Sequence, residues 1–160
     1  DLGGTTGQLG FDVERTPYTI NDTLKIGPVI CYESAYGEFV SGFVRNGANM
    51  IFIITNDGWW GNTAGHRQHM LFAAIRAIET RRSIARSANT GTSCFVNQRG
   101  DVFQPTKYWE PAAIRQILNA NDKVTFYVKY GDYIARGSVL GMILFLLIAV
   151  SKRLQGRKAS

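Results

Sequence analysis

The sequence predicts an α/β domain followed by one transmembrane helix, and three observations carry that prediction. Two short apolar runs, Lys25–Cys31 and Asn49–Thr55, break off abruptly into polar residues, as buried strands do. Each is followed by a stretch with apolar residues at helical spacing. Near the C-terminus, the longest uncharged run of the chain extends from Gly137 to Ser151.

Position 1 is Asp rather than Met, and Asp1–Gly10 is rich in Gly and Thr without a hydrophobic period; it reads as a loop inside a longer protein. Lys25–Cys31 is then the first buried strand. Ala35–Arg45 places Phe39, Val40, Phe43 and Val44 at helical spacing, and Asn46-Gly47 stops that helix. Asn49–Thr55 is continuously apolar and β-branched, the pattern of a strand covered on both faces. A Gly- and Trp-rich loop, Asn56–Gly65, leads to a helix over roughly His66–Arg81, with Leu71, Ala74, Ile75 and Ile78 as its apolar face. Ser83–Ala88 and Thr92–Gln98 read as short strands around Asn89-Thr90-Gly91, with Arg99-Gly100 as the next turn. Ala112–Leu118 and Lys123–Lys129 read as two more strands, joined by a turn at Asn119–Asp122. Strands and helices alternating in this way argue sheets packed between helices.

The uncharged run alone rises about 22 Å as a helix, short of a hydrocarbon core of about 30 Å. Extended to Tyr133–Leu154, with Arg136 snorkelling and Tyr133 at the interface, it reaches about 33 Å. Lys152, Arg153, Arg157 and Lys158 follow with no acid among them, the flank expected on the cytoplasmic side. The expected division is an α/β domain over 1–132, a membrane helix over 133–154 and a basic cytoplasmic tail over 155–160. The α/β domain then lies on the opposite side of the membrane.

The same tail explains the net charge of +6: the 18 basic residues less these four leave 14 against 12 acids, a balance of +2. No basic stripe interleaved with aromatics is present, so nucleic acid is not an expected partner. Cys31 and Cys94 lie in no CxxC or Cys/His spacing, which argues against zinc. A disulfide between them stays open on sequence, although the surroundings of Cys31 speak against it.

Those surroundings are Ile30-Cys31-Tyr32-Glu33, at the carboxyl end of a buried strand and just before a helix. This is where α/β folds present reactive groups. A helix N-terminus after the turn favours thiolate, and the Tyr32 N–H can face the oxyanion of a tetrahedral intermediate. On position alone, a small buried hydrophobic cysteine fits equally well.

VICYE, the run IITNDGWWGNTAG, Gln68-His69, Arg76-Ala77-Ile78-Glu79, ARSANTGTS and the turn RGDV together resemble the nitrilase (carbon–nitrogen hydrolase) superfamily. With Phe126–Asp132 leading into a membrane helix, they are most similar to its bacterial apolipoprotein N-acyltransferases, over about Lys25 to Leu154. The resemblance implies the C-terminal part of a nitrilase-like α-β-β-α sandwich in the bacterial inner membrane, its catalytic domain periplasmic. It implies an acyl chain taken from a phospholipid onto Cys31 as a thioester, then passed to the α-amino group of a diacylglyceryl apolipoprotein. No cofactor and no metal are implied.

Within that resemblance the catalytic residues are Cys31, as nucleophile, with Tyr32 and Glu33. Asn56, Asp57, Trp59 and Trp60 form a loop bordering the acyl pocket. The family's triad also needs a Glu base and a Lys, both upstream of the thirty residues that precede Cys31 here. Lys25, on the strand itself, cannot take that role, and Glu14 is not in the family's base motif. His69 lies on one helical stripe with Phe72, Arg76 and Glu79; it reads as a structural histidine and Arg76–Glu79 as an i,i+3 pair. Two other functions remain open: a membrane-anchored amidohydrolase, and an inactive module that holds lipid or protein through the Trp loop.

Overall fold

The computed structural model describes residues 13–158, so the Asp1–Gly10 loop expected from sequence lies outside the described residues, as do the last two residues of the basic tail. Six strands, among the described residues, form one sheet in chain order: β1 (Tyr18–Thr19), β2 (Lys25–Ile30), β3 (Met50–Thr55), β4 (Ser83–Ala88), β5 (Cys94–Val96) and β6 (Val102–Phe103). β2, β3 and β4 are parallel, and the flanking pairs are antiparallel. The parallel crossovers run through α1 (Gly37–Arg45) and α2 (Ala64–Thr80).

Both helices pack on the same face of the sheet. Val40, Phe43 and Val44 of α1 and Ala73 and Ala77 of α2 close over Val29, Ile51, Ile53, Ile84, Cys94 and Val96. Gly27 permits the contact, since a Cβ there would lie 2.8 Å from that of Phe43. Alternate strand residues point the other way, as a pleat requires. There Ile30 and Ile54 are 52% and 55% exposed, so the described residues cover one face of the strands and not both. The described residues form one sheet with a helix layer on one face; the apolar strand pattern predicts both faces covered, and here one is.

Two further expectations change. The inward stripe of α2 is His66, His69, Ala73, Arg76, Ala77 and Thr80, whereas Leu71, Ile75 and Ile78 stay 51%, 43% and 46% exposed. Apolar periodicity selects the wrong face because the inward polar groups have buried partners, which offset their desolvation. Ala112–Leu118 contains no strand, and Lys123–Lys129 gives way to a short helix, α3 (Phe126–Tyr130). Thr125 caps it by accepting from the Val128 N–H (3.1 Å) and donates its own proton to the Glu79 carbonyl (2.6 Å). Val128 is thereby fixed in the core.

The described residues end in α4 (Tyr133–Lys158), which runs past Leu154 without a break. By length and composition Tyr133–Gln155 can cross a membrane, and none of its apolar stretch is covered by the domain. Glu38 in the first turn of α1 ties the two together. Its Oε1 accepts from the Asp132 N–H (2.9 Å) and from Arg136 Nη2 (2.7 Å).

Candidate active site

The parallel register pairs Ile30 with Ile54, so the residues that follow them, Cys31 and Thr55, emerge side by side. Cys31 begins a 3₁₀ turn, Cys31–Ala35, which precedes α1 and was not anticipated from the helical spacing. It has φ +51°, a left-handed conformation that costs a residue with a Cβ about 1–3 kcal/mol. Such strain persists only where the surroundings enforce it, and here they do. The Ile30 N–H donates to Glu33 Oε2 (2.8 Å), and the Ser34 hydroxyl donates to the Cys31 carbonyl (2.9 Å). Arg76 Nη1 reaches down from α2 to the Ser34 and Ala35 carbonyls (3.3 and 2.7 Å), while its Nη2 pairs with Glu79 (2.8 Å). The Arg76–Glu79 pair read from spacing therefore exists, and Arg76 also clamps the turn.

Beneath the turn lies a buried charged network. Asp57 is fully buried; its Oδ1 accepts from Thr55 Oγ1 (2.9 Å) and faces His69 Nδ1 (2.9 Å), and its Oδ2 meets Arg86 Nη2 (2.7 Å). Burial on its own would raise the Asp57 carboxyl, but hydrogen bonds from His69 and Arg86, the Arg86 charge and the Thr55 hydroxyl hold it at about 2. An ionised Asp57 assigns the proton of His69 to Nδ1. Nε2 then sits 3.1 Å from both the Ser34 hydroxyl and the Cys31 carbonyl. The second guanidinium nitrogen of Arg86 donates to the Thr92 carbonyl. His69 is thus a buried, bonded histidine as expected, and its Nε2, an acceptor in this tautomer, competes with the Cys31 carbonyl for the one proton of the Ser34 hydroxyl. Thr55 Oγ1 completes the circuit, 3.3 Å from Cys31 Sγ.

Tyr32 is half-exposed, its ring 5.7 Å from that of His69 and 6.3 Å from that of Trp60. Trp60 leans over Gly65 at the start of α2, and Trp59 is 81% exposed. Asn56 is exposed and bridges its loop to the next, accepting from the Gly58 N–H (3.1 Å) and Thr90 Oγ1 (3.2 Å). The four loop residues therefore divide. Asn56, Trp59 and Trp60 are on the rim, while Asp57 faces inward with both carboxylate oxygens engaged. Gly91 lets the Asn89-Thr90-Gly91 turn close over it, since a Cβ would fall 2.7 Å from Asp57 Cβ and Cγ.

Lys25 opens β2, at the strand's far end from Cys31, and does not serve the thiol. Among the described residues no group of three or more His, Cys, Asp or Glu side chains is placed to hold a metal. Cys94 is free, fully buried on β5, and its thiol is pushed up by burial against a smaller opposite effect of Arg86.

Thr55, Ser34 and Arg86 belong to this arrangement and were not singled out from sequence. Arg86 carried a usable signal. It occupies an inward position of a strand, two residues from Ile84, and a charge buried there needs an acid within reach. Asp57 is that acid.

Residues 3–119 match the family model described as carbon-nitrogen hydrolase. Among curated relatives, the apolipoprotein N-acyltransferase of Chlorobaculum tepidum is 35% identical over 81% of this chain and 25% of that protein. Those of Bdellovibrio bacteriovorus and Thermotoga maritima are 37% and 30% identical over 79% and 88% of the chain, and 24% and 27% of theirs. The chain spans about a quarter of the length of the curated relatives it matches. In fold it is similar to a carbon-nitrogen hydrolase from Helicobacter pylori, with TM-score 0.54, 14% identity and 64% and 43% of the two chains covered. It is likewise similar to Nit3 of Saccharomyces cerevisiae, with TM-score 0.54, 21% identity and 64% and 40% coverage.

Proposed function

We propose that this chain, which belongs to the carbon-nitrogen hydrolase family, supplies the nucleophile of an apolipoprotein N-acyltransferase. The observation that carries the reading is Cys31 itself. It is a thiol held in a strained left-handed turn at the end of a parallel strand, with a helix able to cross a membrane on the same chain. The relatives named apolipoprotein N-acyltransferase support an apolipoprotein amine as the acyl acceptor, and a phospholipid donor completes the reading.

In the first half-reaction the Cys31 sulfur attacks an ester carbonyl of a phospholipid. The C–O bond to glycerol breaks, the thioester forms, and the thiol proton ends on the glycerol oxygen of the departing lysophospholipid. In the second, the α-amino group of a diacylglyceryl cysteine attacks the thioester, giving an amide and returning the proton to sulfur. Nucleophilic catalysis of this kind divides one hard transfer into two easier ones. Glu33 holds the turn through the Ile30 N–H, and the Tyr32 N–H faces the developing oxyanion. Asn56, Trp59 and Trp60 border the acyl chain. The base and the lysine come from the part of the protein that packs on the open sheet face around Ile30 and Ile54. This chain alone is therefore inactive, since loss of a positioned base removes about 10²–10⁴ in rate.

The test is to incubate the complete protein in detergent with phospholipid and map the acyl adduct by mass spectrometry. The adduct is expected on Cys31, and absent in Cys31→Ala and Cys31→Ser. An adduct on Cys94, or turnover in either Cys31 variant, overturns the assignment. Amide hydrolysis with no lipid adduct would instead make the protein an amidohydrolase.

A further inference from the structure

Thr55 ends β3 with its side chain buried, and its hydroxyl has two acceptors in reach but one proton to give: Asp57 Oδ1 at 2.9 Å and Cys31 Sγ at 3.3 Å. A charged acceptor at the shorter distance wins in the resting site, so the proton lies on Asp57. The Thr55 oxygen then presents its lone pairs to the sulfur and accepts the S–H, which fixes where the sulfur points. When the thiol proton leaves, the sulfur becomes the charged acceptor and the hydroxyl can turn towards it. Asp57 tolerates the turn because Arg86 and His69 remain bonded to it. The charged and titratable groups gathered at this spot are Asp57 after β3, His69 on α2 and Arg86 on β4.

We propose that Thr55 is a positioning residue for the Cys31 nucleophile: anchored on Asp57, its hydroxyl holds Sγ in the thiol form and donates to it in the anionic form. The inference rests on the reading of Cys31 as the nucleophile. The Asp57–His69–Arg86 network is, on this account, the rigid base that keeps the Thr55 oxygen in place while its one proton turns from Asp57 to the sulfur. With the oxygen already in place, only the hydroxyl rotation is left to the reacting step.

Thr55→Val keeps the shape and removes the hydroxyl, and Thr55→Ser keeps the hydroxyl and removes a methyl. In the complete protein, two rates are measured for each: alkylation of Cys31 by iodoacetamide, and single-turnover acylation from phospholipid micelles. Thr55→Val is expected to slow acylation about 10²-fold at unchanged KM for the donor, the size of effect that misplacing a reacting group produces. It is also expected to slow alkylation, and Thr55→Ser is expected to restore most of both rates. Wild-type rates in Thr55→Val overturn the proposal, and so does a Thr55→Ser variant as slow as Thr55→Val, since the methyl would then be the part that matters. If Thr55→Val does not fold, Thr55→Ala is read in the same two assays with the same expectation. Iodoacetamide needs no lipid site, so absence of acylation in the wild type would refute the proposed function while alkylation still decides the role of Thr55.

Discussion

Arg86 and Asp57 meet at 2.7 Å with both side chains fully buried, one strand apart and beneath the Cys31 turn. The Asp57 carboxyl, held at about 2 in the fold, has an ordinary value of 3.8. A group whose acidity is increased by folding contributes stability above its unfolded value and loses it as pH falls through the folded one. Asp57 therefore contributes on the order of 2 kcal/mol near neutrality, lost between about pH 4 and pH 2. Urea titrations of wild type and Asp57→Asn across that window should converge as the pH falls. A constant gap between them would show that the charge of Asp57 does not stabilise the fold.

Gly91→Ala should destabilise the domain and loosen the site together. The added methyl would drive into Asp57, and overpacking of a filled interior costs about 1–3 kcal/mol. Thermal unfolding of the variant should show a lowered Tm, with slower alkylation of Cys31 as Asp57 and Thr55 are pushed aside. An unchanged Tm would mean that the Asn89-Thr90-Gly91 turn gives way freely.

Cys94→Ala removes one sulfur from a packed position on β5, across the strand pair from Arg86 and without a bond to Cys31 among those described. The cost is that of a small cavity, about 1 kcal/mol, in stability and little in turnover. Acylation measured beside wild type should stay within a few-fold. A loss as deep as that of Cys31→Ala would show that Cys94 takes part in the chemistry.

The topology expected from the Tyr133–Gln155 helix and its basic flank places Ser160 in the cytoplasm. A reporter enzyme that folds only in the periplasm, fused after Ser160, should be silent. Strong activity from that fusion would reverse the helix and move Cys31 to the cytoplasm.

The elements that carry the site were legible in the sequence because their apolar runs and stops are local. β2, β3, α1 and α2 lie close to where Lys25–Cys31, Asn49–Thr55, Ala35–Arg45 and His66–Arg81 were expected. Position left Cys31 open between a reactive thiol and a small buried hydrophobe, and the ordered motifs around VICYE were what singled it out. What stayed hidden depends on residues far apart in the chain. Leu71, Ile75 and Ile78 announced an inward face, yet His69 and Arg76 take it because Asp57, Ser34 and Ala35 wait for them there. The helix at Phe126–Tyr130 was read as strand because β-branched and aromatic residues outweighed a cap, Thr125, whose second partner is Glu79 on another helix. The left-handed backbone at Cys31 has no signature at all in a residue that is not glycine.

That backbone has a consequence for how such a chain can change over generations. At φ +51° glycine is at ease, asparagine and aspartate are tolerated and cysteine is under tension, so selection for folding alone pulls position 31 away from cysteine. The thiol survives there only while the cell gains from what it does. A lineage released from that demand has a downhill path that discards the thiol first, and gains stability as it does so.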